Sequence, residues 1–515
     1  MFAGLSFDGG WILTDRNREI ELKFLVDGVQ AEAILAYLLP SASLASRHLR
    51  SIYFDTPDRA LRGAGYSLRV RGDGSLSTQT VKSDWKGKGA GRDEWEAEVS
   101  GETPDLRLPG NTPVGSVLGE RVLERLFEVD ADRRVFMVGS GGAVVEVSLD
   151  YREAKIGEHI LAFGELELEL KSGPVGALFE LATSLRASFS LRPSFVTKAD
   201  RGFALVDPVA KGGRHFAPPT LSETMSAGEA FTAIGLAALR QIAANAEELK
   251  VRPAGETIHQ MRMAIRRLRS TIDIFEPVAA SARGKGLVAE LKWISAKLDA
   301  ARDLEVFLAG PLVRKNSPTR GTSKSAILHG RLLLDRRRAY EAARAAAKSD
   351  RLSAILLDGL ALIELGPLTV DPNDANGRDR SIVDFAAVAL DHARLNVRGR
   401  TRGFDQLSSA KRHKLRIAAK TLRYAADVFD GLFPEKATRA AAFLKAIKAL
   451  LDRLGELNDL VGAKKIVAGH PSPGSLDARI AKHEPRLISA AHRALKDFDD
   501  AKRFWPKPHA RGQKP

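Results

Sequence analysis

The sequence predicts an α+β protein, in which an N-terminal half of antiparallel strands with flanking helices precedes an all-helical half. Up to about residue 206 apolar residues recur with a period of two, which is typical of strands with one apolar and one polar face. Beyond a segment rich in proline and glycine the period becomes helical. We therefore predict a β domain over 1–206, a linker over 207–221, a helical domain over 222–505 and a disordered tail over 506–515.

The composition favours an anionic partner. The chain has 515 residues, of which 44% are hydrophobic, enough for two or three domains with real cores. Its formal net charge of +15 points to nucleic acid, anionic lipid or polyphosphate without choosing among them. The absence of cysteine excludes disulfides and thiolate chemistry. Since neither a signal peptide nor an apolar run of membrane-spanning length is visible, we expect a cytoplasmic protein with no membrane partner.

In the first half, alternation places charged side chains together on strand faces. Helices are expected around 28–39, 114–127 and 174–187, between the strands. Several groups each share one strand face: Glu19, Glu21 and Lys23; Arg69 and Arg71; Glu94 and Glu96; Glu146 and Asp150; Glu165, Glu167 and Glu169. A solvated sheet face would explain any one of these strands. If the sheet closes into a barrel, however, the charges point inward, where carboxylates would hold a hard cation and basic residues would hold phosphate.

An ordered series of motifs resembles the CYTH family, also called the triphosphate tunnel metalloenzymes. The series begins with Glu19-x-Glu21-x-Lys23 and covers roughly residues 17–206. It continues with Tyr53-Phe-Asp-Thr-Pro57, Ser67-Leu-Arg-Val-Arg71, Val81-Lys82, Arg92-x-Glu94-x-Glu96, Arg133, Asp150, Gly164-Glu-Leu-Glu-Leu-Glu-Leu170 and Thr197-Lys198-x-x-Arg-Gly202.

The CYTH resemblance implies an eight-stranded antiparallel tunnel that hydrolyses a linear triphosphate with Mg²⁺ or Mn²⁺. Alternation lets only one of Arg133 and Arg134 face inward easily, and the resemblance favours Arg133. Glu98 and Glu169 continue their alternations and are expected at the rim. The implied metal ligands are Glu19, Glu21, Glu165 and Glu167, with Asp150 for a second ion. The implied catalytic and substrate-binding residues, besides Glu19 and Glu21, are Lys23, Arg69, Arg71, Lys82, Glu94, Glu96, Arg133 and Lys198.

The helical half carries the same basic pattern twice. The segments 259–269 and 413–423 both read His-x2-Arg-x3-(Arg/Lys)-x2-Arg. At about 100° per residue these positions share one helix face, and the apolar pairs Ile265–Leu268 and Ala419–Leu422 lie opposite. A second repeated pattern begins at Lys292 and at Lys448. Because like charges repel one another along a helix, a stripe that occurs twice suggests a shared polyanion.

This half resembles the CHAD family, α-helical domains built from two pseudo-symmetric bundles, over about 222–505. The resemblance implies polyphosphate binding in a basic central channel, with Asp303 and Asp459 orienting the basic side chains. The implied polyphosphate-binding residues are His259, Arg262, Arg266, Arg269, Lys292, His413, Arg416, Lys420, Arg423 and Lys448. The order of the two domains also resembles bacterial two-domain inorganic triphosphatases.

The predicted function is hydrolysis of inorganic triphosphate to diphosphate and phosphate, together with binding of long-chain polyphosphate. An association with polyphosphate granules is a corollary of that expectation. Nucleic acid is the less favoured partner, because the basic stripes lack interleaved aromatic residues for base stacking. Three alternatives stay open: adenylate cyclase activity, thiamine triphosphatase activity, and a non-enzymatic scaffold that binds polyphosphate.

Overall fold

A computed structural model describes residues 19–38, 44–72, 77–83, 91–106, 112–156, 158–206, 219–251, 253–279, 281–309, 323–366, 377–468 and 474–507. Within these ranges the side chain of Glu19 is among those not described. Most of the predicted linker and of the predicted tail lies outside the described residues. The chain divides into two compact units, one formed by residues 1–211 and 349–365, the other by 212–348 and 366–515.

The first unit is built on an antiparallel sheet with helices packed against it. Its strands are β1 (Glu19–Val26), β2 (Ala45–Asp55), β3 (Tyr66–Gly72), β4 (Ser77–Ser83), β5 (Gly91–Arg92), β6 (Glu94–Val99), β7 (Glu124–Ser140), β8 (Ala143–Ile156), β9 (His159–Ser172) and β10 (Arg192–Pro193). Its helices are α1 (Gly28–Leu38), α2 (Ala60–Gly63), α3 (Pro113–Leu118), α4 (Val175–Phe189) and α5 (Lys198–Val206).

Eight of the ten described strands have six residues or more, and the other two have two each. The main strand order is β10-β1-β9-β8-β7-β2-β3-β4-β6. Off this path, β5 pairs with β1, whereas β6, one residue further along the chain, pairs with β4. The segment from β5 to β6 thus pairs with β1 near one end of the order and with β4 near the other, an arrangement compatible with the predicted tunnel.

Alternation along the strands separates an apolar outer face from a charged inner one. Ile52, Phe54, Leu68, Val70 and Val81 form an outer cluster with residues of α2 and α3. Leu22 and Phe24 of β1 are almost fully buried on one face, and Glu21 and Lys23, which alternate with them, belong to the opposite face. The predicted α+β class is therefore confirmed in its β-rich half.

Two helix expectations differ from the structure. The helix predicted at 114–127 ends at Leu118, and strand β7 begins at Glu124. The second part of the predicted helix is therefore a loop followed by the start of a strand. Helix α5, which lies after the last long strand and carries Lys198, was not predicted as a helix.

The described residues of the second unit form helices and connecting loops, with no strand among them. Its helices are α6 (Ala227–Val251), α7 (Gly255–Ile274), α8 (Glu276–Ala279), α9 (Ala282–Ala309), α10 (Ser323–Lys348), α12 (Ile382–Gly399), α13 (Ser409–Phe429), α14 (Ala437–Ala468) and α15 (Gly474–Asp500). The helix between α10 and α12 in the chain, α11 (Asp350–Leu365), belongs to the first unit, where it packs against β10 and α4. The sequence prediction had placed that helix in the helical domain.

Two similar helix series make up the second unit. Helix α7 packs against α6 and α9, and α13 packs against α12 and α14. The two series meet where α7 contacts α13 and α9 contacts α14. A hydrogen bond of 3.3 Å between the hydroxyl groups of Thr271 and Tyr424 joins α7 to α13. No helix in the described parts of the chain is long and apolar enough to span a membrane.

Candidate functional site

The inner face of the first unit holds a continuous network of ion pairs. Its centre is Glu167 on β9, which is 7% exposed. The Nζ atom of Lys23 donates to this carboxylate at 2.6 Å and also lies 2.9 Å from Glu21. Lys198 of α5 contacts Glu167 at 3.1 Å. These basic neighbours outweigh the effect of burial and hold the pKa of Glu167 well below its usual range.

Arg133, and not its neighbour Arg134, faces this network. The guanidinium of Arg133 donates two hydrogen bonds of 2.7 Å to Asp150 and a third, of 2.6 Å, to Glu167. Arg134 lies on the opposite face of β7, where it pairs with Glu32 at 2.8 Å. Strand alternation alone left these two arginines undecided, and the local register settles which one joins the buried carboxylates.

A second group of predicted residues meets across β3, β4 and β6. Lys82 contacts Glu94 at 2.9 Å, and Arg69 lies 3.9 Å from the same carboxylate. Thr80 donates a hydrogen bond of 3.1 Å to Glu96. The adjacent Arg69 guanidinium, together with burial, lowers the pKa of Arg71 to about 10. The charge of Arg71 is therefore poorly compensated by the protein, as expected of a residue that binds an anion, whereas nearby Tyr53, Glu94 and Glu96 outweigh burial and raise the pKa of Arg69.

Arg152 belongs to the network but was missing from the sequence prediction. It follows Asp150 by two residues on β8, so it shares the inner face, and it is 4% exposed. Its Nη2 atom contacts Asp150 and lies 3.7 Å from Glu167 and 3.9 Å from Glu165. The alternation that identified Glu146 and Asp150 would also have identified Arg152, had it been continued to the end of the strand.

The strand register separates the predicted metal ligands along the sheet. On β9, Glu169 lies opposite Glu21, Glu167 opposite Lys23, and Glu165 opposite Leu25. The backbones of Glu19 and Leu25 are six strand residues apart, about 20 Å. The strand positions of Glu19 and Glu165 are therefore at different levels along the sheet. Glu169 pairs with Lys171 at 2.7 Å, and Lys171 contacts Glu146 at 3.3 Å.

The buried carboxylates nevertheless have the chemistry that a hard cation requires. Gly164 lets β1 approach β9 just before Glu165, because a Cβ atom there would lie 2.4 Å from the backbone oxygen of Val26. Glu165 is fully buried, and neither of its carboxylate oxygens accepts a hydrogen bond from the described residues. Carboxylate oxygens that lack a hydrogen-bond donor suit Mg²⁺ or Mn²⁺.

The described residues contain no group of three or more His, Asp or Glu side chains arranged as a ready-made metal cage. This does not conflict with the donor chemistry. Magnesium ions are commonly held by one or two carboxylates together with water and substrate phosphates. The site residues therefore fit an ion that is held jointly by the protein and a phosphate chain better than one held by protein ligands alone.

The predicted basic stripe of the second unit is present on α7 and α13. Ile265, Leu268, Ala419 and Leu422 are almost fully buried, which confirms that the opposite face of each helix is apolar. Arg262 pairs with Asp299 at 2.7 Å, and His413 makes a hydrogen bond of 2.9 Å with Asn458. The stripe residues Arg269 and Arg423 are partly buried, whereas Lys292 and Lys448 are exposed.

The stripes of α7 and α13 form one electrostatic cluster. Burial and the charges of Arg266, Arg416 and Arg262 lower the pKa of Lys420 to about 6. Burial and the charges of Arg262 and Arg416 likewise lower the pKa of Arg266 to about 10. Mutual repulsion across the two helices shows that their basic side chains converge, with too few acidic neighbours to neutralise them. Burial and nearby Arg302 lower the pKa of His259, so its ring favours the neutral form.

Two family models match this architecture. The CYTH domain model matches residues 17–203, and the CHAD domain model matches residues 233–468. The first range contains the predicted tunnel residues, and the second contains both basic stripes. The chain therefore consists of a CYTH domain followed by a CHAD domain.

Similarity to individual proteins is more limited. Inorganic triphosphatase from Haemophilus influenzae is 29% identical over 194 residues, which is 36% of this chain and 55% of that protein. The chain thus matches about half the length of this curated relative. The match to a crystal structure of the CHAD domain from Ricinus communis covers 57% of this chain and 94% of that domain, with 26% identity and a TM-score of 0.43. PptA from Streptomyces chartreusis covers 52% and 98%, with 20% identity and a TM-score of 0.35. At these TM-scores neither structure bears on function.

The contrasting environments of Glu165 and Glu167 predict opposite effects on stability. Burial, and then the charge of Glu167, raise the pKa of Glu165, so folding favours its protonated form. The stability that this proton contributes is lost as pH rises through the folded-state pKa. In metal-free buffer with a chelator, Glu165→Gln should therefore gain thermal stability relative to the wild type as pH increases from acidic to neutral.

The control is Glu167→Gln. Because the pKa of Glu167 is lowered, its stabilising charge is present above the unfolded-state pKa and is lost as pH falls through the folded-state pKa. This variant should be destabilised at neutral pH by about 3–5 kcal/mol, since it leaves buried cations unpaired. Parallel pH curves of melting temperature for the two variants would contradict the assignment.

Proposed function

We propose that the first unit hydrolyses inorganic triphosphate to diphosphate and phosphate with a divalent metal ion, Mg²⁺ or Mn²⁺. This proposal rests on the inner face itself, where buried carboxylates lie among the basic side chains of Lys23, Arg69, Arg71, Lys82, Arg133 and Lys198. The relative from Haemophilus influenzae, named an inorganic triphosphatase, supports the same reaction. The alternatives, adenylate cyclase and thiamine triphosphatase, require a place for a nucleoside or thiamine group, and nothing described favours one.

The basic side chains would bind and neutralise the phosphate chain. A linear triphosphate resists hydrolysis because its negative charge repels an attacking water. Arg69 and Arg71 lie side by side on the inner face and can contact neighbouring phosphoryl groups, while Lys23, Arg133 and Lys198 surround Glu167. Fixed cations of this kind stabilise the charge that develops in the transition state without reorganising at the moment of reaction. Each of them would exchange a carboxylate partner for a phosphate oxygen on binding.

The carboxylates would hold the metal and position water. Glu21, Asp150, Glu165 and Glu167 are the described candidates, and Glu19 is proposed from the sequence alone. When bound, a divalent ion supplies charge neutralisation and a water of lowered pKa. Glu165, whose oxygens have no hydrogen-bond donor in the described chain, is the carboxylate best placed to accept either the ion or a proton from the attacking water.

Replacing one candidate metal ligand should reduce activity without unfolding the protein. Glu21→Gln keeps the shape of the side chain but removes the negative charge that a hard cation requires. Phosphate release from inorganic triphosphate at saturating Mg²⁺ or Mn²⁺ should fall at least about a hundredfold, by analogy with the loss of other groups that act electrostatically at the transition state.

The matched control is Glu32→Gln, because Glu32 is exposed and pairs with the outward-facing Arg134. It should retain wild-type turnover. The same assay with ATP and thiamine triphosphate measures substrate preference. Full activity of Glu21→Gln in folded protein would exclude this residue from metal binding, and preference for ATP or thiamine triphosphate would replace the proposed substrate.

The second unit is proposed to bind long-chain polyphosphate on the converging faces of α7 and α13. A polyanion would relieve the repulsion among Arg262, Arg266, Arg416 and Lys420, and this relief is the physical reason for the proposal. A chain with one charge on each inner phosphate can contact several basic side chains at once. The pattern also lacks the interleaved aromatic residues expected for a single-stranded nucleic acid.

Replacing Arg262, Arg266 and Arg416 with Gln and Lys420 with Met should remove most of the affinity for long-chain polyphosphate. Wild-type affinity should also fall steeply with salt, because phosphate contacts release counterions. Fluorescence titrations of full-length chains at several salt concentrations would measure both effects.

A control that removes at least as much positive charge replaces three exposed arginines and one exposed lysine elsewhere in the second unit, namely Arg338, Arg402, Arg439 and Lys502. This variant should bind with near wild-type affinity. If both variants lose affinity equally, only net charge matters, and the specific face on α7 and α13 has to be abandoned.

Polyphosphate binding should also take up a proton at Lys420. With a pKa of about 6, this amine is mostly neutral at pH 7.5, and a bound polyanion would raise its pKa toward the ordinary value. Because the bound state then holds more protons, affinity should fall as pH rises above about 6. Calorimetry in buffers of different ionisation enthalpy should show proton uptake in the wild type and in the control Lys445→Gln, and less uptake in Lys420→Gln. Uptake unchanged in Lys420→Gln would refute the role of this lysine.

A further inference from the structure

The inner face of the first unit changes from charged to apolar along its strands. On β8, Arg152 is followed at the next inward position by fully buried Ala154. On β7, inward positions beyond Arg133 are occupied by Ala131, Val129 and Phe127, each at most 5% exposed. Charged side chains thus occupy only part of the interior, and one end of it is filled with hydrocarbon.

We call this filled end the apolar plug and define it as Tyr53, Phe127, Val129, Ala154 and Phe203. These residues form one cluster of buried side chains. The ring of Phe127 stacks on Tyr53 with a centroid distance of 4.6 Å and meets Phe203 of α5 edge-on at 5.4 Å. Gly202 permits this contact, because a Cβ atom there would lie 1.9 Å from the Phe127 ring.

Two guanidinium groups stand at the border between the charged interior and the apolar plug. Arg69 lies directly opposite Tyr53 in the register of β2 and β3. Arg152 lies between Asp150 and Ala154 on the inward face of β8. The Nε atoms of both arginines are buried and donate no hydrogen bond to the described residues. Buried donors without a partner call for a ligand or water, because leaving them unpaired costs free energy.

The chemistry of a phosphate chain suggests what these donors bind. A terminal phosphate resembles a phosphomonoester and carries close to two negative charges at neutral pH, whereas an inner phosphate carries one. In a closed tunnel, a filled end would stop an entering phosphate chain, so that its terminal group lies against the apolar plug. Guanidinium groups bind such a group through paired hydrogen bonds.

We propose that Arg152 determines specificity by binding the terminal phosphate of the substrate at the apolar plug, so that this site accepts free chain ends. The inference rests on the proposed triphosphatase function and adds to it a requirement for an unsubstituted end. Arg152 would pass from its carboxylate partners to the phosphate when the substrate binds. Arg69, already proposed to bind substrate, would contact the same terminal group.

Two measurements on the full-length chain test this inference. In the first, wild-type protein is assayed with inorganic triphosphate and with a dinucleoside triphosphate, whose terminal phosphates are both esterified. The inorganic substrate should be cleaved and the doubly esterified one should not. Each end of the doubly esterified substrate lacks the second negative charge, and its nucleoside is too bulky to let that phosphate reach Arg152. This measurement requires no variant and therefore does not depend on one folding.

In the second measurement, Arg152→Gln should raise KM for inorganic triphosphate by about ten- to a hundredfold, the effect expected from losing a hydrogen bond to a charged group. Arg152→Lys, which keeps the charge, should recover part of that loss. The matched control Arg134→Gln removes an outward-facing arginine and should leave KM unchanged.

The outcomes distinguish the two proposals. If the wild type does not hydrolyse inorganic triphosphate, the proposed function fails. If it does, but also cleaves the doubly esterified substrate, or if Arg152→Gln lowers kcat with KM unchanged, Arg152 only orients the carboxylates. The inference about chain ends is then wrong while the proposed function stands.

Discussion

The first unit depends on one constraint, which is that charges buried on the inner face of its sheet must neutralise one another. Transfer of a single carboxylate into this interior would cost several kcal/mol. Glu167 avoids that cost because Lys23, Arg133, Arg152 and Lys198 surround it. These residues come from four separate elements, so the ion pairs also fix how β1, β7, β8, β9 and α5 meet. A substrate that binds here must replace these contacts with equally good ones.

That requirement explains why the site combines both signs of charge. A wholly basic interior would bind phosphate but could not hold a divalent ion, and a wholly acidic one would repel the substrate. Arg133 pairs with Asp150, and Lys82 pairs with Glu94. Each ion pair thus combines a side chain that can bind phosphate with one that can bind a metal ion, and the pair carries no net charge. A metal–phosphate complex satisfies both members of each pair. The second unit differs, because its cluster on α7 and α13 contains few acidic partners, and burial together with the neighbouring arginines lowers the pKa of Lys420.

Strand alternation was sufficient to group charged residues that share a strand face, since side-chain direction has a fixed period of two, but it left Arg133 and Arg134 undecided. Alternation could not predict how far along the interior each residue lies, because that position depends on the register between strands that are far apart in sequence. Glu19 and Glu165 were therefore grouped as ligands of one ion although their strand positions are about 20 Å apart. Arg152 escaped notice for a simpler reason, as the alternation on β8 was not followed past Asp150. Helix α11 joins the first unit through tertiary contacts that helical periodicity cannot reveal.

The apolar plug shows how a few hydrophobic residues can define a polar site. Tyr53, Phe127 and Phe203 pack through aromatic contacts that need no charge, and Gly202 supplies the space for them. Their burial stabilises the sheet and excludes water from this end of the interior. On β8, the charged side chains of the inner face end at Arg152. A guanidinium at such a boundary is shielded from solvent on its apolar side, which strengthens its attraction for an anion on the other. The same packing that closes the interior thereby raises the selectivity of its last cation for the most highly charged group of a phosphate chain, its free end.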